Sequence, residues 1–262
     1  MMSASSNATF VQLNDLNMYY EVHGQGTPLL LLHGGTSTSG SWAAQMPKLS
    51  EHFQVITPDI RGHGKSTNPG DNLSYRLMAD DMAALITHLG LEKPLVCGYS
   101  DGGQICLELG MHYPGLAQVY VAGAVNYESS ESFVIFLRSF GIDGNGDINL
   151  EEFEANAPDF AAYMMQTHEM NWKELTRQLA KMWATPLNYT ADDFARIVEP
   201  TLLVVGDRDA FVPLEQAVAM YRLIPNAKLA VAPNSGHELV QTNPELFTNI
   251  ILEYLMRQIE EL

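Results

Sequence analysis

Six short runs that are apolar almost throughout constrain this chain more than any other feature. They are PLLLLHG at 28–34, FQVITPD at 53–59, PLVCGYS at 94–100, QVYVAGAV at 118–125, PTLLVVGD at 200–207 and KLAVAP at 228–233. A strand with one wet face alternates polar and apolar residues, whereas a run without alternation has to be covered on both faces. Helical stretches at roughly 38–50, 74–90, 102–113, 214–223 and 243–260 supply that cover. This order specifies an α/β fold with a doubly wound, mostly parallel sheet. Ahead of it, TFVQLN at 9–14 and LNMYYEV at 16–22 predict an antiparallel pair joined by a tight turn at Asn14-Asp15.

Residues 128–198 break the rhythm, with helical segments and no convincing strand. They are expected to form a helical cap inserted into a core built from 1–127 and 199–262. At 262 residues and 46% hydrophobic content the chain can bury a large interior. No linker or repeat divides it further.

The 31 acidic and 14 basic side chains leave a formal charge of -17. Such a surface repels phosphate backbones and anionic headgroups, which argues against nucleic acid and membrane partners. There is no basic segment followed by an apolar run at the N-terminus, and no window long and apolar enough for a bilayer. Cys97 and Cys106 sit in apolar surroundings without pairing or CxxC spacing, so a cytoplasmic protein is expected.

The run at 94–100 leads into a helix through G-x-S-x-G, with Ser100 at the centre. Glycines at 98 and 102 remove side chains that would clash in so sharp a turn, leaving the hydroxyl at a helix N-terminus. A serine hydroxyl needs a base, and the base needs an orienting acid. Asp209, in GDRDAFVP after the strand at 201–206, is the preferred acid, with Asp207 and Glu128 as alternatives. His237, in NSGH after the last strand, is the base. All three fall at carboxyl ends of strands, where open parallel sheets place their sites. Leu31-Leu-His-Gly-Gly-Thr36 follows a buried strand and offers backbone donors for an oxyanion; the expected pair is the N–H of Gly35 and that of Asp101.

Taken together, HGG at 33–35, DIRGHGKS at 59–66, GYSDGG at 98–103, GDRDAFVP at 206–213 and SGH at 235–237 resemble the α/β-hydrolase superfamily, over nearly the whole chain except the cap. The resemblance implies a nucleophile elbow at Ser100, Asp209 as acid, His237 as base, and a cap between the sixth and seventh core strands. Serine at the nucleophile position departs from the dehalogenase and epoxide-hydrolase branches, which use aspartate. DIRGHGKS mimics the end of a phosphate-binding loop, but Asp59 stands where that motif requires glycine. Asp59, Arg61 and His63 are expected to tie their loop to its neighbours.

The cap is rich in Phe, Met, Tyr and Trp, suited to an apolar pocket. Thr36, Tyr99, Trp172 and Trp183 are the candidate substrate contacts. The cap also contains GIDGNGDINLEEF at 141–153, which fits a calcium-loop template with Gly141 in place of its first ligand. Asp143, Asn145, Asp147, Asn149 and Glu152 are the available oxygen donors. The same letters also suit a glycine turn followed by a capping box from Asn149 to Glu152.

No HExxH, clustered Cys/His spacing or dinucleotide fingerprint is present, so catalysis should require no cofactor, with calcium confined to the cap loop. The expected activity is hydrolysis of carboxylic esters or lactones of small to medium apolar acyl substrates through an acyl-enzyme. The same three side chains could serve an amidase, a C–C hydrolase or a perhydrolase. HGGT lacks the proline that follows HGG in proline iminopeptidases, which weakens the peptidase branch. A ligand-binding receptor on the same fold is the reading from another class.

Overall fold

The computed structural model describes residues 8–260. Eight strands form one sheet: β1 Thr9–Leu13, β2 Leu16–His23, β3 Thr27–Leu32, β4 Phe53–Pro58, β5 Leu95–Tyr99, β6 Val119–Gly123, β7 Thr201–Gly206 and β8 Ala227–Ala232. Their spatial order is β1-β2-β4-β3-β5-β6-β7-β8. β1 and β2 pair antiparallel through a turn in which Asn14 adopts φ 50°, and β2 pairs antiparallel with β4. From β4 onward every pairing is parallel. The central strands are buried at every residue of β5, β6 and β7, as their unbroken apolar sequences require.

The helices are α1 Met46–Leu49, α2 Tyr75–His88, α3 Asp101–His112, α4 Glu131–Ser139, α5 Leu150–Asn156, α6 Pro158–His168, α7 Trp172–Ala184, α8 Ala191–Ala195, α9 Leu214–Leu223, α10 Leu239–Thr242 and α11 Pro244–Glu260. One cluster packs α2 and α3 side chains such as Met82, Leu85, Ile105 and Leu109 under one face of the sheet. A second packs Phe247, Ile251 and Leu255 of α11, spaced four apart, against Leu31, Val121 and Val204. Burying each of those three side chains contributes roughly 1.5–3 kcal/mol.

The expected helix at 38–50 is broken. Ser39–Trp42 is a 3-10 turn, and α1 is a single turn carrying Pro47. Proline cannot continue a helix entered from the preceding turn. Between the two pieces Gln45 turns inward and donates to the Val240 carbonyl at 2.8 Å, joining this segment to α10.

Helices α4 to α8 all lie between β6 and β7, on the side of the sheet reached by the carboxyl ends of its parallel strands. The loop after β4 is fastened to α2 by a buried pair in which Arg61 Nε and Nη2 donate to Asp81 at 2.6 and 2.7 Å. No described helix is long and apolar enough to cross a membrane. Cys97 and Cys106 are both free and buried.

Candidate active site

β5 ends at Tyr99 and α3 begins at Asp101, so Ser100 alone makes the reversal, with φ 55° and ψ -121°. A non-glycine residue in that region stores local strain that its surroundings must impose. The surroundings are close-packed backbone: a Cβ on Gly98 would collide with the Gly102 carbonyl, and one on Gly102 with the Leu32 carbonyl. The two glycines thus let β5, the start of α3 and the end of β3 approach closely enough to hold the elbow.

His237 Nε2 lies 3.0 Å from Ser100 Oγ, and His237 Nδ1 lies 2.9 and 3.2 Å from the two carboxylate oxygens of Asp209. Asp209 has no exposed side-chain surface, and its Oδ1 accepts from the backbone N–H groups of Phe211 and Val212, both at 2.9 Å. Those bonds fix the carboxylate in its loop. The His237 ring is held edge-on by Phe211, with centroids 4.9 Å apart.

Neither alternative acid is hydrogen-bonded to His237 among the described residues. Asp207 accepts from the Ser235 N–H at 3.2 Å and so shapes the turn that carries His237. Glu128 is tied through its backbone to Gln216.

Gly34 and Gly35 border the elbow: a Cβ on Gly34 would stand 3.3 Å from Ser100 Cβ, and one on Gly35 would stand 2.7 Å from Trp183 Cζ2. Among the described residues, neither the Gly35 nor the Asp101 N–H donates to a protein atom. Thr36, at the end of this loop, has φ 63°.

A cavity of about 590 Å³ opens over Ser100. Thr36, Tyr99 and Trp183 line it, together with Phe133, Phe136, Phe140, Tyr163 and Met182 of the cap. Trp172 does not: it is 7% exposed and packs with Leu175 and Leu179 in the core cluster. Position 172 opens α7, and its side chain falls on the same buried stripe as Leu175 and Leu179, at helical spacing. Met164 is likewise buried in that cluster, while Met165 and Met170 are exposed.

Sequence reasoning missed several lining residues. Phe160 of α6, Phe211 of the loop after β7 and Tyr75 of α2 face the cavity. Tyr75 Oη at 2.8 Å and Trp183 Nε1 at 3.0 Å both donate to the Asp101 carboxylate, which burial pushes toward its protonated form. The acidic residue directly after Ser100 was the available signal.

In the segment 141–153, Asp143 Oδ1 accepts from the backbone N–H groups of Asn145 and Asp147 at 2.8 and 3.0 Å. Asn149 caps α5 by accepting from Glu151 and Glu152. The expected reciprocal half of a capping box is not formed, because the Asn149 N–H is committed to the Gly141 carbonyl at 3.2 Å. Asp143, Asn145, Asp147, Asn149 and Glu152 therefore sit in a hydrogen-bonded turn, and among the described residues no three His, Cys, Asp or Glu side chains are grouped to hold a metal ion.

Comparison with known proteins finds related chains. A putative esterase/lipase of Haemophilus influenzae is 24% identical, the alignment covering 87% of this chain and 83% of the relative. A putative carbamate hydrolase RutD of Serratia proteamaculans is 30% identical over 92% of this chain and 96% of its own. The structure of a thermophilic esterase from Thermogutta terrifontis superposes with a TM-score of 0.77 at 27% identity, covering 96% of this chain and 99% of that one. Residues 29–250 match the alpha/beta hydrolase family. Because that match spans most of the chain, the protein belongs to the alpha/beta hydrolase family.

Proposed function

We propose that this chain is a serine hydrolase of carboxylic esters and lactones with apolar acyl groups. The observation that carries the reading is the 3.0 Å separation of His237 Nε2 from Ser100 Oγ, with Asp209 on the other ring nitrogen. Ser100 attacks the substrate carbonyl while His237 takes its proton, and the Gly35 and Asp101 N–H groups receive the developing oxyanion. His237 then protonates the leaving alcohol and later activates the water that releases the acid. Asp209 keeps the imidazole in the tautomer with its proton on Nδ1. Each proton transfer has a carrier within the chain, so the proposed reaction calls for no cofactor.

The aromatic walls of the cavity support an apolar acyl group, since such a group seated there displaces water from Phe133, Phe136 and Phe160. Carbamates are the second acyl class to test, because the Serratia relative bears that name.

The test is turnover of short p-nitrophenyl esters by the wild type and by Ser100→Ala, with fluorophosphonate labelling mapped by peptide. Turnover should vanish in the variant while its melting curve is retained, and the label should sit on Ser100. Turnover that survives the substitution overturns the proposal.

A further inference from the structure

Three histidines that the proposed reaction does not use form a buried row beneath the Gly34–Ser37 loop. His33 and His63 meet edge to face at 5.1 Å between centroids, and His63 and His168 at 5.6 Å. His33 directly follows β3 and His63 lies in the loop after β4, but His168 comes from the last turn of α6 in the cap.

Their hydrogen bonds fix their tautomers, since a backbone N–H can only donate and a carbonyl only accept. His168 Nδ1 accepts from the Gly64 N–H at 3.0 Å, so its proton is on Nε2, which donates to the Thr36 carbonyl at 2.8 Å. His33 Nε2 accepts from the Ile60 N–H at 2.9 Å, so its Nδ1–H donates to the Gly34 carbonyl at 2.7 Å. Burial lowers the basicity of all three rings, which keeps them in these neutral forms at neutral pH.

The two pinned carbonyls are linked. The Ser37 N–H, on the same rigid peptide as the Thr36 carbonyl, donates to the Gly34 carbonyl at 3.3 Å. The Gly34 carbonyl in turn shares a planar trans peptide with the Gly35 N–H, so fixing one fixes the direction of the other. A continuous path therefore runs from a cap side chain through two peptide planes to the proposed oxyanion donor. It also holds Thr36 in its left-handed conformation.

We propose that His168 is a positioning residue that couples docking of the cap to the orientation of the Gly35 N–H. Its catalytic consequence rests on the hydrolase reading above; the coupling itself does not.

His168→Leu keeps apolar bulk and removes both hydrogen bonds, whereas His168→Gln offers one donor and one acceptor. In the Leu variant, kcat for a p-nitrophenyl ester should fall about 10- to 100-fold, short of the 10²–10³ expected for complete loss of an oxyanion donor. KM should stay within about threefold, the value a merely disturbed pocket would not preserve. Amide hydrogen exchange in peptides covering 33–40 and 60–68 should quicken, and Gln should restore a large part of both effects.

Exchange that changes in the cap alone, or a rise in KM without loss of kcat, overturns the proposal. Should the Leu variant fail to fold, nitrogen NMR of the wild-type histidines decides: at pH 7.5 His168 must be the neutral Nε2–H tautomer, and a cation or an Nδ1–H form overturns it. Absence of Ser100-dependent turnover in the wild type would instead sink the hydrolase reading, with the exchange data still judging the coupling.

Discussion

Asp207 and Asp209 stand two residues apart on one loop and differ wholly in what they hold. Asp209 faces the imidazole while Asp207 braces the backbone of the turn behind it. Under the proposed mechanism, Asp209→Asn should lower kcat about 10³- to 10⁴-fold by stabilising the wrong histidine tautomer. Asp207→Asn keeps a side-chain acceptor for Ser235 and should cost less than about tenfold, so steady-state kinetics of the two variants separates them. A comparable loss in both would reassign the acid. The chain order of serine, aspartate and histidine was legible because each follows an apolar run at a turn. The histidine row was not, since residues 33, 63 and 168 share no local pattern and meet only when the cap docks. Trp172 shows the same limit: composition marks an aromatic-rich cap, but the direction of each ring depends on helix phase.

Whole elements were easier to read than their ends. Buried strands declare themselves by unbroken apolar runs, and α11 by its Asn243-Pro244 start and apolar stripe. The segment at 38–50 was misread because its apolar content comes from Trp42 and Leu49, which enter the core from separate short turns. The Arg61–Asp81 pair joins a loop to α2 with both side chains nearly excluded from solvent. Asp81→Ala leaves the guanidinium short of its main partner and should destabilise the fold by about 3–5 kcal/mol, measured by urea unfolding at neutral pH. Turn 141–153 spends Asp143 and Asn149 on backbone N–H groups. Millimolar calcium added to chelator-treated protein should accordingly leave the melting temperature unchanged within about 1 °C; a clear rise, abolished by Glu152→Gln, would show that the turn opens to bind the ion.

At the scale of the molecule, the buried histidines tie stability to pH. Burial lowers His33 from 6.5 to about 4 in the folded protein, and lowers His63 well below its ordinary value. The unfolded chain therefore takes up protons first as pH falls, so stability present above about 6.5 is lost progressively toward pH 4. His33 alone accounts for a loss on the order of 3 kcal/mol. Urea midpoints at pH 7, 5.5 and 4 should fall in that order, beginning before the exposed carboxylates titrate; a flat profile from 7 to 5 would contradict it. The sheet also divides the proposed machinery between two lengths of chain. Ser100 and Gly35 precede the cap, Asp209 and His237 follow it, and Met170, 95% exposed, lies in the short bend between α6 and α7 within the cap that separates them. Separating the chain into two pieces at that bend would yield one fragment with an inert alcohol and another with a base that has nothing to deprotonate. Reactivity would return only on reassociation of the halves, which makes this bend a natural place to split the protein into a complementation reporter.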